Sequence, residues 1–297
     1  MKKYIKPPLD IDSQLKLLKQ RNLCINDEER VKRYLSFISY YRLSAYFEPY
    51  QLLGKEDFIK GVTFDTVLDT YLFDRKLRLL VLDAIERIET AIKAQLANKY
   101  SVVYGANWLE NIELFKNTRK FHKQLIWIDD ILKNTGNTEQ FISIFKKKHQ
   151  GRPPAWMIFE VISLGALSKI YENLKTTDVK KNISKAFLMP PVVFESFLKM
   201  LTVVRNYSAH HSRLWNRKVT TNRMRFPRDM GGLWLQNRHV NTEKLYFILS
   251  ILLYLLNTII PKNHFKQKFK ELQASYPKVS LEMMGFPDNW KNEVLWR

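Results

Sequence analysis

The chain has 297 residues, enough for one large domain or two ordinary ones around a substantial core. Its 45% hydrophobic content, with only 9 Gly and 11 Pro, excludes a disordered or low-complexity chain and points to a compact protein rich in helix. With 49 Lys and Arg against 29 Asp and Glu, the formal charge is +20, which concentrates anions at the surface and predicts a polyanionic partner. The charge is spread along the chain instead of forming one membrane-proximal cluster, so nucleic acid fits better than a lipid surface. Eighteen Phe, 14 Tyr and 7 Trp supply rings that can fill a core or stack on bases. Cys24 is the only cysteine, which excludes an intramolecular disulfide framework and a thiolate zinc cluster and predicts a reducing, cytoplasmic compartment.

The N-terminal "MKKYIKPPLDIDSQLKLLKQ" has charges but no long apolar core after them, so it is not read as a secretory signal. Asp12 or Ser13 can cap a first helix through about Gln20. A second helix opens at Asp27 with acids in its first turn and runs into the aromatic cluster Tyr34, Phe37, Tyr40, Tyr41, Tyr46 and Phe47. That cluster is denser than one helix face needs, so some rings meet other helices and others, with Arg42, can line an RNA groove. After a turn near Gly54 to Gly61, helical spacing holds from about Phe64 to Tyr100, as one long helix or two. Within it Leu77, Val81, Ile85, Ile88, Ile92 and Leu96 form an apolar stripe, with Glu89 at its edge and Arg87 pointing away.

A helix before a basic loop at Lys146 to Arg152 is followed by another after Pro153-Pro154, where prolines at a helix start cost little. Lys146, Lys147 and Lys148 read as a solvated loop or as nonspecific phosphate contacts. A further helix starts near Pro190 and carries Phe194, Phe197, Leu198, Leu201 and Val204 into "VVRNYSAHHSRLWNR". Beyond it lie a Gly/Arg-rich connection, an apolar helix from about Glu243 to Ile260 and a basic tail. The apolar run from Tyr246 to Pro261 is shorter than the roughly 20 residues that cross a bilayer, and reads as a buried helix. Neither an internal repeat nor sustained two-residue alternation is present, so the fold class is all-α, with any short hairpin confined to Thr220 to Leu235.

Arg205 follows Leu201 by four residues and so falls on the apolar face, where a guanidinium needs a carboxylate, a phosphate or a solvent-filled cleft. Glu89 is the candidate carboxylate; its alternative partner is Lys93. His210 is five residues beyond Arg205, which on a straight helix places the two side chains about 140° apart. Convergence therefore needs the helix to end or bend near Ser208, or a second protomer to present the same motif across a two-fold axis. The plain alternative is a polar end to a core helix, salt-bridged to Glu89.

Arg205-Asn206-Tyr207-Ser208-Ala209-His210 resembles the HEPN motif, an arginine followed by a polar residue and then, after four to six intervening positions, a histidine. The flanking sequence is similar to the Abi-like (AbiD/AbiF) abortive-infection proteins of bacteria, which belong to that superfamily. The resemblance is carried by "ISYYRLSAYFEPY", "FDRKLRLLVLDAIERIETAIK", "PPAWMIFEVISLGALSKIYENL", "VVRNYSAHHSRLWNR" and the ending "MGFPDNWKNEVLW". It implies one Abi-like domain over 1–297 with an HEPN-like helical bundle: N-terminal helices at 1–60, a core with the Arg-x4-His motif at 61–240, and the apolar helix and basic tail at 241–297. It also implies a homodimer that cuts RNA without metal or other cofactor, leaving 2′,3′-cyclic phosphate and 5′-OH ends. On that resemblance His210 is the general acid/base, Arg205 the phosphate-binding group and Asn206 the polar residue that orients either. Glu89 and His211 support the site, and His211, Arg213, Arg217, Lys218, Arg42, Lys146, Lys147 and Lys148 contact RNA.

The residue types suit that chemistry. RNA carries its own nucleophile in the 2′-OH, a histidine can move the proton, and an arginine can stabilise charge developing on phosphate. A toxic nuclease of antiphage defence needs restraint, so an inhibitory RNA or protein partner is expected, and the charge favours a structured non-coding RNA. A noncatalytic RNA-binding protein uses the same basic surface. A DNA-binding regulator is disfavoured because no helix-turn-helix with a recognition helix is visible. "RDMGGLWL" lacks the Lys-Ser/Thr of a P-loop, and no HExxH or carboxylate triad stands out, so neither nucleotide hydrolysis nor a metal is predicted.

Overall fold

A computed structural model describes residues 7–135, 139–220, 226–228 and 230–297. The fold is all-α: among the described residues 64% are helical, in 12 α-helices and five short 3-10 helices, and no strand is present. Isolated bridges pair Cys24 with Thr63, Gln51 with Phe58 and Phe115 with Leu174. The segment expected to hold any hairpin includes 221–225 and 229, which lie outside the described residues. The chain divides into two compact units, Met1–Arg78 with Phe269–Leu281, and Leu79–Lys268 with Glu282–Arg297.

In the first unit, α1 (Ile11–Gln20) is capped by Asp10, whose carboxylate accepts from the Ser13 amide at 2.7 Å. The cap is thus two residues ahead of Asp12, which instead places its charge in the first turn, where the helix dipole favours it. The next helix, α2 (Glu28–Ile38), is capped by Asp27 as its acidic opening predicts. It does not continue through the aromatic cluster. Ser39 adopts φ +73°, which ends the helix, and a short α3 (Tyr40–Ser44) restarts in a new direction. The break carries Leu43, Tyr46 and Phe47 into the core and leaves Phe37 and Tyr41 on the surface.

Below that break, Tyr46 donates to Asp74 at 2.6 Å and accepts from Arg78 at 3.2 Å, while Asp74 and Arg78 form an ion pair. All three are buried, so each charge relies on the others for the hydrogen bonds that water would supply. Burial pushes the Tyr46 phenol pKa up, keeping it a donor.

The helix α4 (Phe64–Tyr104) is a single helix of 41 residues, and the boundary between the units falls inside it, after Arg78. It holds no Gly or Pro, and it stops at Gly105, whose φ of +83° cannot extend it. The stripe Leu77, Val81, Ile85, Ile88, Ile92 and Leu96 is fully buried, as the spacing predicts.

The second unit adds α5 (Thr118–Thr135), α6 (Gln140–Lys148), α7 (Ala155–Val161), α8 (Leu164–Asn173), α9 (Asp178–Ala186), α10 (Pro191–Ala209) and α11 (Leu245–Ile259). The last helix, α12 (Phe265–Ser275), starts in this unit and ends in the first. The helix expected after Pro153-Pro154 is two: Ser163 breaks it, its hydroxyl accepting from Ala166 N at 3.4 Å to cap α8. The basic stretch expected as a loop is partly helical, with Lys146, Lys147 and Lys148 in the last turn of α6, where cations complement the dipole. α8 packs on α10, and at Gly165 a Cβ would stand 3.1 Å from Thr202 Cγ2.

Every residue from Leu245 to Leu256 is buried, so the apolar run is the core of this unit. The C-terminal rings close over it: Trp296 Nε1 donates to Ser250 Oγ at 2.9 Å, and Phe286, Trp290 and Trp296 pack together beside Tyr246. Among the described residues no single helix is long and apolar enough to cross a membrane.

Candidate functional site

The helix α10 begins at Pro191, where the missing amide costs no hydrogen bond, and buries Phe194, Phe197, Leu198, Leu201, Val204 and Ser208 along one side. Arg205 stands on the flank of that side and is half-buried. Among the described residues its guanidinium has no hydrogen bond and no ion pair. Glu89, the carboxylate expected to meet it, pairs instead with Lys93 at 3.0 Å, one turn along α4. Asn206 is exposed on another side of the helix.

The helix ends within the motif. His210 is the C-cap, its amide donating to Asn206 O at 2.9 Å. His211 then takes φ +57°, its amide donates to Ser208 O at 3.2 Å, and Ser212 N donates to Tyr207 O at 2.8 Å. This pair of bonds is the Schellman closure, and His211 occupies the left-handed position that glycine usually fills. The two adjacent histidines therefore differ in kind. His210 is an exposed imidazole on the final turn, with no side-chain hydrogen bond among the described residues, while His211 is exposed on a backbone that L-residues rarely adopt.

The segment after the motif is braced from three directions. Leu214 and Trp215 are wholly buried and anchor it. Arg217 donates through Nε to Arg213 O at 2.5 Å and stacks its guanidinium 4.4 Å from the Tyr207 ring centre. Asn216, at φ +52°, accepts from Lys244 Nζ at 2.9 Å. Lys244 also donates to Met283 O at 2.9 Å, and its stem presses on Gly285, where a Cβ would come within 2.6 Å. Burial lowers the Lys244 ammonium pKa, and the neighbouring charges of Lys218 and Arg213 lower it further. Cations thus gather beside the motif, with Lys218 exposed and Arg213 half-buried.

Lys244 was not legible as a site residue, because its place depends on Gly285 some forty residues away. The only local sign is that it precedes the apolar run. The other predicted contacts lie apart from this cluster in the chain. Lys146 donates to Leu132 O at 2.6 Å, and Lys147 and Lys148 are exposed beside it. Arg152, at the end of the same basic stretch, is held by Asp129 through two bonds of 2.7 Å and by Glu110 at 2.9 Å, so its charge is already compensated. Arg42 is exposed on α3 of the first unit.

No curated protein matches the chain. No solved structure matches it either. A family model described as Abi-like protein matches residues 33–216, well over half of the chain, from α2 through the Arg205–His210 motif to Asn216. The chain belongs to the Abi-like protein family and is a bacterial abortive-infection protein.

Proposed function

We propose that this protein is a metal-independent endoribonuclease of antiphage defence, acting through Arg205 and His210. The observation that carries the reading is Arg205, a half-buried residue whose guanidinium has no hydrogen bond or ion pair among the described residues. An arginine cannot shed its proton, so partial burial without a carboxylate leaves a place for a phosphate. An exposed, unbonded imidazole five residues on completes the chemistry that RNA cleavage needs.

In that chemistry an imidazole takes the proton from the 2′-OH, the 2′ oxygen attacks phosphorus, and the bond from phosphorus to the 5′ oxygen breaks. The imidazolium so formed returns its proton to the departing 5′ oxygen, giving a 5′-OH and a 2′,3′-cyclic phosphate. Arg205 stabilises the charge that builds on the phosphoryl oxygens. Asn206 orients the phosphate or the imidazole, and Arg213, Lys218 and Lys244 attract the adjoining backbone. Arg205 and His210 stand about 140° apart by helical geometry, so a homodimer that sets one motif against the other brings one copy's arginine to the other's histidine. The net charge of +20 favours an RNA as the agent that restrains the enzyme. The same charge supports a second reading, a noncatalytic protein that scaffolds a structured RNA. His210→Ala separates the two: an enzyme loses cleavage and keeps RNA binding, whereas a scaffold has no cleavage to lose.

A further inference from the structure

A cleft of about 730 Å³ opens between α5, α8 and α10 and reaches Asn206, the residue after the motif arginine. Its walls include Trp127, Ser168, Lys169, Glu172, Lys199 and Asn206. Two features mark it as built for a ligand. Ser168 is 5% exposed, yet its hydroxyl has no hydrogen-bond partner among the described residues. Ser168 lines the cleft, so its hydroxyl is placed to bond what enters there. The carboxylate Glu172 is neutralised by Lys199 at 2.9 Å and Lys120 at 3.5 Å, and its pKa is held down by both, which leaves the exposed Lys169 as uncompensated positive charge.

The cleft is also aligned with the motif. Lys199, Val203, Asn206 and His210 follow one another by steps of four, three and four, the spacing of a single helix face. His210 therefore stands one turn, about 5.4 Å, beyond the end of the cleft on the same side of α10. The volume lies within the roughly 300–1,000 Å³ of small-ligand sites, too small for a duplex and suited to one unstacked nucleotide.

We infer that this cleft is a subsite for one nucleotide of single-stranded RNA, the neighbour of the linkage at His210, with its base against Trp127 and its phosphate drawn by Lys169 and Lys199. Ser168 then bonds the base edge or the ribose. The inference rests on the nuclease reading and adds to it the strand's path and its single-stranded character.

The test is photo-crosslinking of the full chain to a short oligouridylate that carries one 4-thiouridine and is made uncleavable by 2′-deoxy substitution. Crosslinks to the α5 peptide holding Trp127 or to the α8 peptide holding Ser168 and Lys169 are expected. Crosslinks confined to the Arg213–Lys218 segment overturn the subsite and leave the nuclease reading standing. No retention of the RNA anywhere on the protein overturns both. Trp127→Leu is expected to weaken binding of the same RNA by about 5- to 150-fold, the range for one base–aromatic stack. Lys169→Gln, an exposed change that leaves the packing intact, is expected to weaken it by several-fold and to flatten the salt dependence by about one charge. Unchanged binding in both variants contradicts the inference.

Discussion

The Arg217 guanidinium lies 4.4 Å from the centre of the Tyr207 ring, so the segment that leaves the motif folds back on the last turn of the motif's own helix. An arginine expected to contact RNA is thereby also a brace, and the two roles give different mutants. Tyr207→Leu is predicted to lower stability by about 0.5–2 kcal/mol through loss of the cation–π contact, and to raise hydrogen exchange across residues 211–217. Lys218→Ala, exposed and beyond that contact, is predicted to leave stability within about 0.5 kcal/mol and to weaken RNA binding. Urea denaturation and a filter-binding titration check the pair.

His211 occupies the left-handed position of the helix closure. Replacing it with Gly or with Ala removes the imidazole in both cases, so the difference between the two variants isolates the backbone. His211→Gly is predicted to be more stable than His211→Ala by about 1 kcal/mol, because Cβ crowds the carbonyl at positive φ. Equal denaturation midpoints mean that the closure does not hold in solution.

Asp74 joins Tyr46 and Arg78 in a buried network. Asp74→Asn leaves the Arg78 charge buried without its counter-ion and is predicted to cost about 3–5 kcal/mol. Tyr46→Phe removes the hydroxyl and both of its hydrogen bonds and is predicted to cost about 1–3 kcal/mol. Two of the sequence blocks that carry the family resemblance meet in this network, so their charged residues maintain the first unit's core.

Lys180 is buried and bonded to Glu195 at 2.6 Å and to Leu174 O at 2.9 Å, and burial lowers its pKa from 10.5 to about 8. Between about pH 8 and 10.5 the unfolded chain holds a proton at this lysine that the folded chain has lost, so this group makes stability rise with pH across that window. Below pH 8 both states are protonated and the contribution is flat. The difference in urea midpoint between the wild type and Lys180→Met, followed from pH 7 to 10, is predicted to grow in favour of the wild type only above about pH 8.

The long stripe of α4 and the apolar α11 were readable because burial on one helix face is written in three- and four-residue steps. The breaks at Ser39 and Ser163 were not, because a serine that leaves the helical region follows from where the next segment must pack, and spacing does not encode that. The spacing placed Glu89 at the edge of the stripe but did not choose its partner. Lys93, one turn away on the same helix, needs less ordering to reach than a group on another element. The Arg205–His210 pair was legible as a local motif of six residues. Lys244 and the Trp127 cleft were not, since each is assembled from residues far apart in the chain.

The most direct measurement compares the purified wild type and His210→Ala on one RNA in a metal-chelating buffer, alongside the same RNA with 2′-deoxyribose at each cut position. Cleavage by the wild type alone, giving 2′,3′-cyclic phosphate ends and vanishing at each 2′-deoxy position while both proteins retain the RNA, is the predicted result. Equal cleavage by His210→Ala, or cuts that persist where the 2′-OH is missing, contradicts the assignment of Arg205 and His210 as the centre of an endoribonuclease.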